Sequence, residues 1–322
     1  MNIKLLETAR FDFDRVEAVS SSLAVAPTAE ATRPQDQLPR YDELDVEFDA
    51  RTGTYWGFMK PRGRPSFTRG LLRNLDDMQD SIKRMAAARR RAGQSPVRYF
   101  VLASRVPGVF NLGGDLALFA DLIRKGDRPG LQSYARACID VLHTNSIALD
   151  LPLVTIALVQ GHAQGGGFEA ALACDVIVAE KNAKFGLPEI LFGLFPGMGA
   201  YSMLSRRLDA ARAEKMILSG RIFTAEELHE MGIVTMLAEA GSGEDVVRDY
   251  VQRRGRRQLA EQSVYKTRRR IMPITYEELR DVTEIWIDTA LGLDESDLRK
   301  MQRLISAQNR MRPQEVPIAK SA

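Results

Sequence analysis

Small and polar residues dominate the first forty positions, and no apolar period is sustained there. Ser20, Ser21 and Ser22 and the Ala-, Thr- and Pro-rich run 24–39 predict a flexible extension over residues 1–40. Beyond it the apolar positions become regular. Residues 44–48 and 54–59 predict a hairpin around Arg51, Thr52 and Gly53. Leu71, Leu72, Leu75, Met78, Ile82 and Met85 recur at helical spacing and predict a helix over 66–91. Residues 97–104, 154–159 and 175–179 are short apolar runs of the kind found in strands buried on both faces. Helices are predicted over 116–125, 128–149 and 168–174, with Pro152 stopping the second. Thr224 and Glu227 have the spacing of a capping box before a helix that ends at Gly232, and 233–236 reads as a short strand. From about Glu244 the pattern is helical to Arg310, and residues 311–322 predict a frayed tail. Strands alternating with helices predict a layered α/β fold.

Two glycine clusters interrupt this pattern where a strand hands over to a helix. The first is Asn111-Leu112-Gly113-Gly114-Asp115. The second is Gly165-Gly166-Gly167, followed at once by Phe168 and Glu169. Glycine lets a backbone approach a ligand closely. The first N–H groups of a helix have no internal partner and sit at its positive end. Such donors beside the carboxylate of Glu169 suit chemistry at a carbonyl; a plain Gly-rich turn with a solvated glutamate accounts for the same letters. A second carboxylate, Glu189, lies between Pro188 and Pro196 in an apolar neighbourhood, where burial would raise its pKa.

Composition narrows the classes. In 322 residues, 45 Lys and Arg face 42 Asp and Glu, a net charge of +3, so nothing global calls for a nucleic-acid partner. Basic runs at 89–91 and 253–257 read first as solvated helix ends. No apolar run is long enough to span a membrane, and no signal-peptide pattern opens the chain, so a cytoplasmic location is expected. The two cysteines, Cys138 and Cys174, sit in apolar helical contexts and are expected to be reduced packing residues. His143, His162 and His229 lack metal-ligand spacing, and neither a metal nor an organic cofactor is expected.

Four stretches together resemble the crotonase, or enoyl-CoA hydratase, superfamily. They are Asn111 to Leu116; Gln160 and Gly161 through Glu169; Phe185-Gly186-Leu187-Pro188-Glu189 with Pro196-Gly197-Met198-Gly199-Ala200; and residues 220–234. Within that superfamily the loop Val109-Phe110-Asn111-Leu112-Gly113-Gly114-Asp115-Leu116 is similar to that of the bacterial diffusible-signal-factor synthases. So are residues 191–201 and 283–290; the N-terminal extension departs from their pattern. The resemblance implies an α/β, ClpP-like spiral of ββα units over 41–243. It implies a C-terminal helical region over 244–310 that covers the acyl site and serves oligomerisation, usually as trimers.

The resemblance also implies roles. The N–H groups of Gly114 and Gly166 would form an oxyanion hole for an acyl-thioester carbonyl. Glu169 and Glu189 match the two hydratase glutamates, with Glu189 as the base at C2 and Glu169 on the water side. Leu187, Leu191, Met198, Met203, Trp286 and Leu291 are the candidates for the acyl pocket. The implied substrate is a medium- or long-chain 3-hydroxyacyl group on acyl carrier protein or CoA. The main expectation is dehydration followed by thioester hydrolysis, giving a cis-2-unsaturated fatty acid signal, with a sensor kinase as partner. One alternative is an enoyl-CoA hydratase of fatty-acid degradation. The other is a regulatory binding protein on the same fold.

Overall fold

The structure, a computed structural model, describes residues 38–310. Almost all of the expected N-terminal extension, and the expected tail from 311, lie outside the described residues. Two strands, β1 (Leu44–Asp49) and β2 (Thr54–Met59), form the expected antiparallel hairpin. Gly53 turns it with φ +70°, and a side chain there would strike the Pro96 carbonyl. Helix α1 (Arg69–Arg91) follows, capped by the Thr68 side chain accepting from the Leu71 N–H.

The centre of the chain is built from three repeats. Each sends one long strand to a main sheet, one short strand to a second sheet, and then a helical segment. The first is β3 (Tyr99–Ser104), β4 (Val109–Asn111), α2 (Leu116–Arg124) and α3 (Arg128–Ser146). The second is β5 (Val154–Val159), β6 (His162–Gln164) and α4 (Gly166–Leu172). The third is β7 (Val176–Glu180), β8 (Lys184–Gly186), a 3-10 helix (Pro188–Phe192) and α5 (Ala200–Arg207). Then come α6 (Ala210–Ser219), β9 (Ile222–Thr224), α7 (Ala225–Glu230), β10 (Met236–Ala238) and four helices: α8 (Gly243–Arg254), α9 (Gln258–Ile271), α10 (Tyr276–Leu291) and α11 (Glu295–Arg310).

The main sheet runs β1-β2-β3-β5-β7-β10, parallel from β2 onward, and the second runs β4-β6-β8-β9. Every residue of β2, β3, β5 and β7 is buried, which explains their continuous apolar runs. Successive side chains serve opposite faces. Tyr55, Phe100, Ala157 and Ile177 face the core under α1 and α3, while Trp56, Val101, Ile156 and Val178 face Val247 and Val251 of α8. The elements from β1 to α11 belong to one compact unit.

Two local expectations are corrected. Helix α3 stops at Ser146, not 149, because Ala148, Leu149 and Asp150 each take positive φ in a 3-10 turn before the extended Leu151 that Pro152 requires. Ile233 and Val234 are not in a strand; they turn back onto the Leu228 carbonyl with buried side chains, and β10 begins at Met236. The second sheet fits the expected ββα units but leaves no mark in the periodicity, since its strands have three residues each, too few to show a period.

Candidate active site

The two glycine clusters meet. The β4–α2 loop and the β6–α4 turn pack backbone against backbone, so a Cβ on Gly167 would lie 2.0 Å from the Asn111 carbonyl oxygen. Only glycine fits that approach. Three bonds fix the first loop. The Gly113 N–H donates to Asn111 Oδ1 at 2.8 Å, the Gly113 carbonyl accepts from the Phe67 N–H at 2.8 Å, and the Asp115 side chain caps α2 at the Leu118 N–H. Gly114 and Gly166 both line a cavity of about 330 Å³. Among the described residues, neither of their N–H groups donates to a protein acceptor. The Gly166 N–H belongs to the first turn of α4, where no internal acceptor exists.

Glu169 is on the next turn of α4 and is 1% exposed. Its Oε1 accepts from the Met198 N–H at 2.8 Å and the Ala200 N–H at 2.9 Å, which ties the 196–200 loop to α4. Burial pushes its carboxyl up to about 7 despite those two donors. Glu189 sits in the 3-10 helix opposite. Its Oε1 hangs over Gly165, where a Cβ would lie 2.4 Å away, and its Oε2 is shielded with no partner among the described residues. Burial, and then the charge of Glu169, push Glu189 up to about 8. The order follows from the contacts: two N–H groups support the charge of Glu169, while Glu189 has only its own backbone N–H and faces the charge of Glu169. A pair that holds one proton near neutral pH can both take and give a proton.

The acyl-pocket candidates divide. Leu191, Met198 and Trp286 line the cavity, Leu191 at its exposed mouth. Leu187, Met203 and Leu291 do not line it. Leu187 and Met203 are buried in the core, and Leu291 packs on the core from outside. Residues the sequence reading missed include Phe119, Tyr134 and Cys138, which make one wall, and Leu304 and Gln308 of α11. Phe119 stands against both Tyr134 and Trp286, at centroid distances of 5.1 and 4.9 Å. The polar Tyr134 on the apolar face of α3 was the one local signal for that wall. His162 lies in β6 and also lines the cavity. Cys138 and Cys174 are buried free thiols. Among the described residues, no group of three or more His, Cys, Asp or Glu is placed to hold a metal ion. No described helix is long and apolar enough to cross a membrane.

Residues 77–291 match the family model described as enoyl-CoA hydratase/isomerase. The chain belongs to this family. Its fold is the α/β crotonase fold with a C-terminal helical region. A mitochondrial methylglutaconyl-CoA hydratase of Rattus norvegicus is 33% identical over 231 residues, covering 70% of this chain and 68% of the relative. A 2,3-dehydroadipyl-CoA hydratase of Escherichia coli is 48% identical over 88 residues, covering 27% of this chain and 34% of that one. Among solved structures, human mitochondrial delta3-delta2-enoyl-CoA isomerase superposes with a TM-score of 0.68 at 18% identity, covering 84% of this chain and 99% of the other. DspI of Pseudomonas aeruginosa does so with 0.59 at 23% identity, covering 85% and 99%. At these identities the structural likenesses speak for the fold alone.

Proposed function

We propose that this family member adds water to a 2-enoyl thioester and removes it from the 3-hydroxyacyl thioester. The observation that carries the reading is one cavity that holds two carboxyls of raised pKa, Glu169 buried and Glu189 half-buried with one oxygen shielded, beside two N–H groups without protein acceptors among the described residues. In this reading the Gly114 and Gly166 N–H groups donate to the thioester carbonyl. Charge that builds on that oxygen in the enolate is stabilised there; losing one such donor typically costs ~2.7–4 kcal/mol. The Met198 and Ala200 N–H groups support the charge on Glu169, so hydration starts from an ionised Glu169 and a protonated Glu189. Glu169 takes the proton of the attacking water and Glu189 delivers one to C2. Dehydration runs the same steps backward, so Glu189 is the C2 base and Glu169 protonates the departing hydroxyl. The hydratase relatives that act on CoA thioesters by name favour CoA as the thiol.

A second reading is the signal synthase, in which dehydration of a 3-hydroxyacyl group on acyl carrier protein is followed by hydrolysis. Water then attacks the thioester carbonyl, the C–S bond breaks, and the thiol leaves with a proton. The loop motifs given above and the apolar wall of Phe119, Met198 and Trp286 support it. Trimer assembly and a sensor-kinase partner belong to the same family-based reading.

The test is incubation of purified protein with 2-enoyl-CoA and, separately, with 3-hydroxydodecanoyl-acyl carrier protein. Loss of enoyl-thioester absorbance reads hydration, and mass spectrometry reads free acid. Hydration of the CoA substrate, lost in Glu169→Gln and Glu189→Gln, establishes the hydratase. Free unsaturated acid from the carrier-protein substrate moves the assignment to the synthase. No turnover of either sinks both and leaves a binding role.

A further inference from the structure

The family match ends at residue 291, before α11 begins, yet α11 reaches the cavity. It packs on α2 and on the 3-10 helix that carries Glu189. Its buried stripe runs Leu298, Met301 and Ile305. Continued at helical spacing, the next buried position is 308, and there the sequence places a glutamine. Gln308 is 7% exposed and lines the cavity with Leu304.

A buried carboxamide needs partners for both ends. The Gln308 Nε2 donates to the Leu112 carbonyl at 3.0 Å. A carbonyl can only accept, so that bond fixes which end of the amide is which. The other end, Oε1, is an acceptor shielded from solvent with no partner among the described residues. Leaving such an acceptor unmet is unfavourable, and an apolar residue in the stripe would avoid the cost. Leu112 lies two residues before Gly114. The span of two residues plus the hydrogen bond keeps the carboxamide within roughly 10 Å of the Gly114 N–H. A thioester bound at Gly114 therefore has groups a few bonds from its carbonyl in reach of Gln308.

We propose that Gln308 selects thioesters carrying an N–H or O–H donor that its Oε1 accepts, which makes α11 a specificity element of the cavity. This rests on the acyl-thioester reading of the site. The donor has two sources: the first amide N–H of the thiol arm, or a hydroxyl on the acyl chain.

Binding of unreactive saturated thioesters, read by calorimetry, tests this without needing turnover. One pair compares the butyryl thioester of N-acetylcysteamine with that of 2-methoxyethanethiol, which is similar in reach and has no donor. The other compares ω-hydroxyhexanoyl-CoA with hexanoyl-CoA. In wild type, one donor-bearing ligand binds roughly tenfold more tightly than its partner, the scale of one hydrogen bond. In Gln308→Met, folded by its melting profile, that gap between donor-bearing and donor-free ligand closes. Which pair shows the gap identifies the source. No gap in either pair in wild type overturns the proposal, a comparison that needs no variant. A gap that persists in Gln308→Met, or equal weakening of every ligand, also overturns it. Binding with the gap but no hydration of the 2-enoyl-CoA would sink the hydratase reading and leave this one standing.

Discussion

The Tyr134 hydroxyl accepts a hydrogen bond from the Asp115 N–H at 3.0 Å and donates to the Phe67 carbonyl. Phe67 in turn donates its N–H to Gly113. One buried phenol on α3 thus clamps both sides of the loop that presents the Gly114 N–H. Tyr134→Phe keeps the ring against Phe119 but strands a donor and an acceptor, at about 1–3 kcal/mol. The expected outcome is a kcat for thioester hydration down about tenfold with KM little changed, since the loss falls on positioning of the carbonyl donor. A KM rise with kcat intact would show that the clamp does not aim the loop.

The pH dependence follows from the carboxyl pair. Well below 7 both are protonated and no base is present; well above 8 both are ionised and no acid remains. The expected kcat/KM profile is a bell with its maximum between about 7 and 8, its limbs belonging to the pair and not to either residue. Replacing either glutamate by glutamine should lower kcat by about 10²–10⁴ and remove one limb. A profile flat through that window would contradict the assignment.

Burial of Glu189 also has a stability consequence. Its folded value of about 8 lies above the ordinary 4.5, so the folded state holds the proton more tightly than the unfolded chain. The stabilisation is fully present below 4.5 and is lost as pH rises through about 8. Glu189→Gln carries no such charge. Its melting temperature should exceed that of wild type by about 2 °C or more near pH 8, the gap closing toward pH 4.5. Thermal melts across pH check this, and a gap independent of pH would refute it.

Gly165 combines a φ of +51° with a Glu189 oxygen 2.4 Å from where its Cβ would be. Gly165→Ala is expected to strain the turn by about 1–3 kcal/mol and to push the Glu189 carboxyl aside. Hydration should fall at least about tenfold while circular dichroism stays that of the fold. Activity equal to wild type would show that the carboxyl tolerates displacement.

Asp175 holds helix α9 to the sheet. Its Oδ1 takes Arg268 at 2.8 Å and Arg269 at 2.6 Å, and its Oδ2 accepts from the Thr155 N–H at 3.2 Å. The side chain is 1% exposed, so removing its charge leaves two guanidinium groups without their partner. Asp175→Asn should cost about 3–5 kcal/mol in urea unfolding, where a surface pair would cost under about 1.

Much of this was legible in the chain. The buried strands, the helix expected over 66–91, and the capping box of Thr224 and Glu227 are set by period and by contacts within a few residues. The glycine clusters announced themselves because close backbone approach leaves glycine as the fitting residue. Tertiary structure alone decided that β4, β6, β8 and β9 form a second sheet, since three-residue strands gain their hydrogen bonds from partners tens of residues away. It alone divided six apolar candidates into three that line the cavity and three that do not, because apolar character fixes burial but not which volume a side chain faces. The same holds for Gln308, whose meaning comes from Leu112, 196 residues earlier. Local chemistry wrote the elements and the two glutamates into the sequence; long-range packing determined what those glutamates share a cavity with.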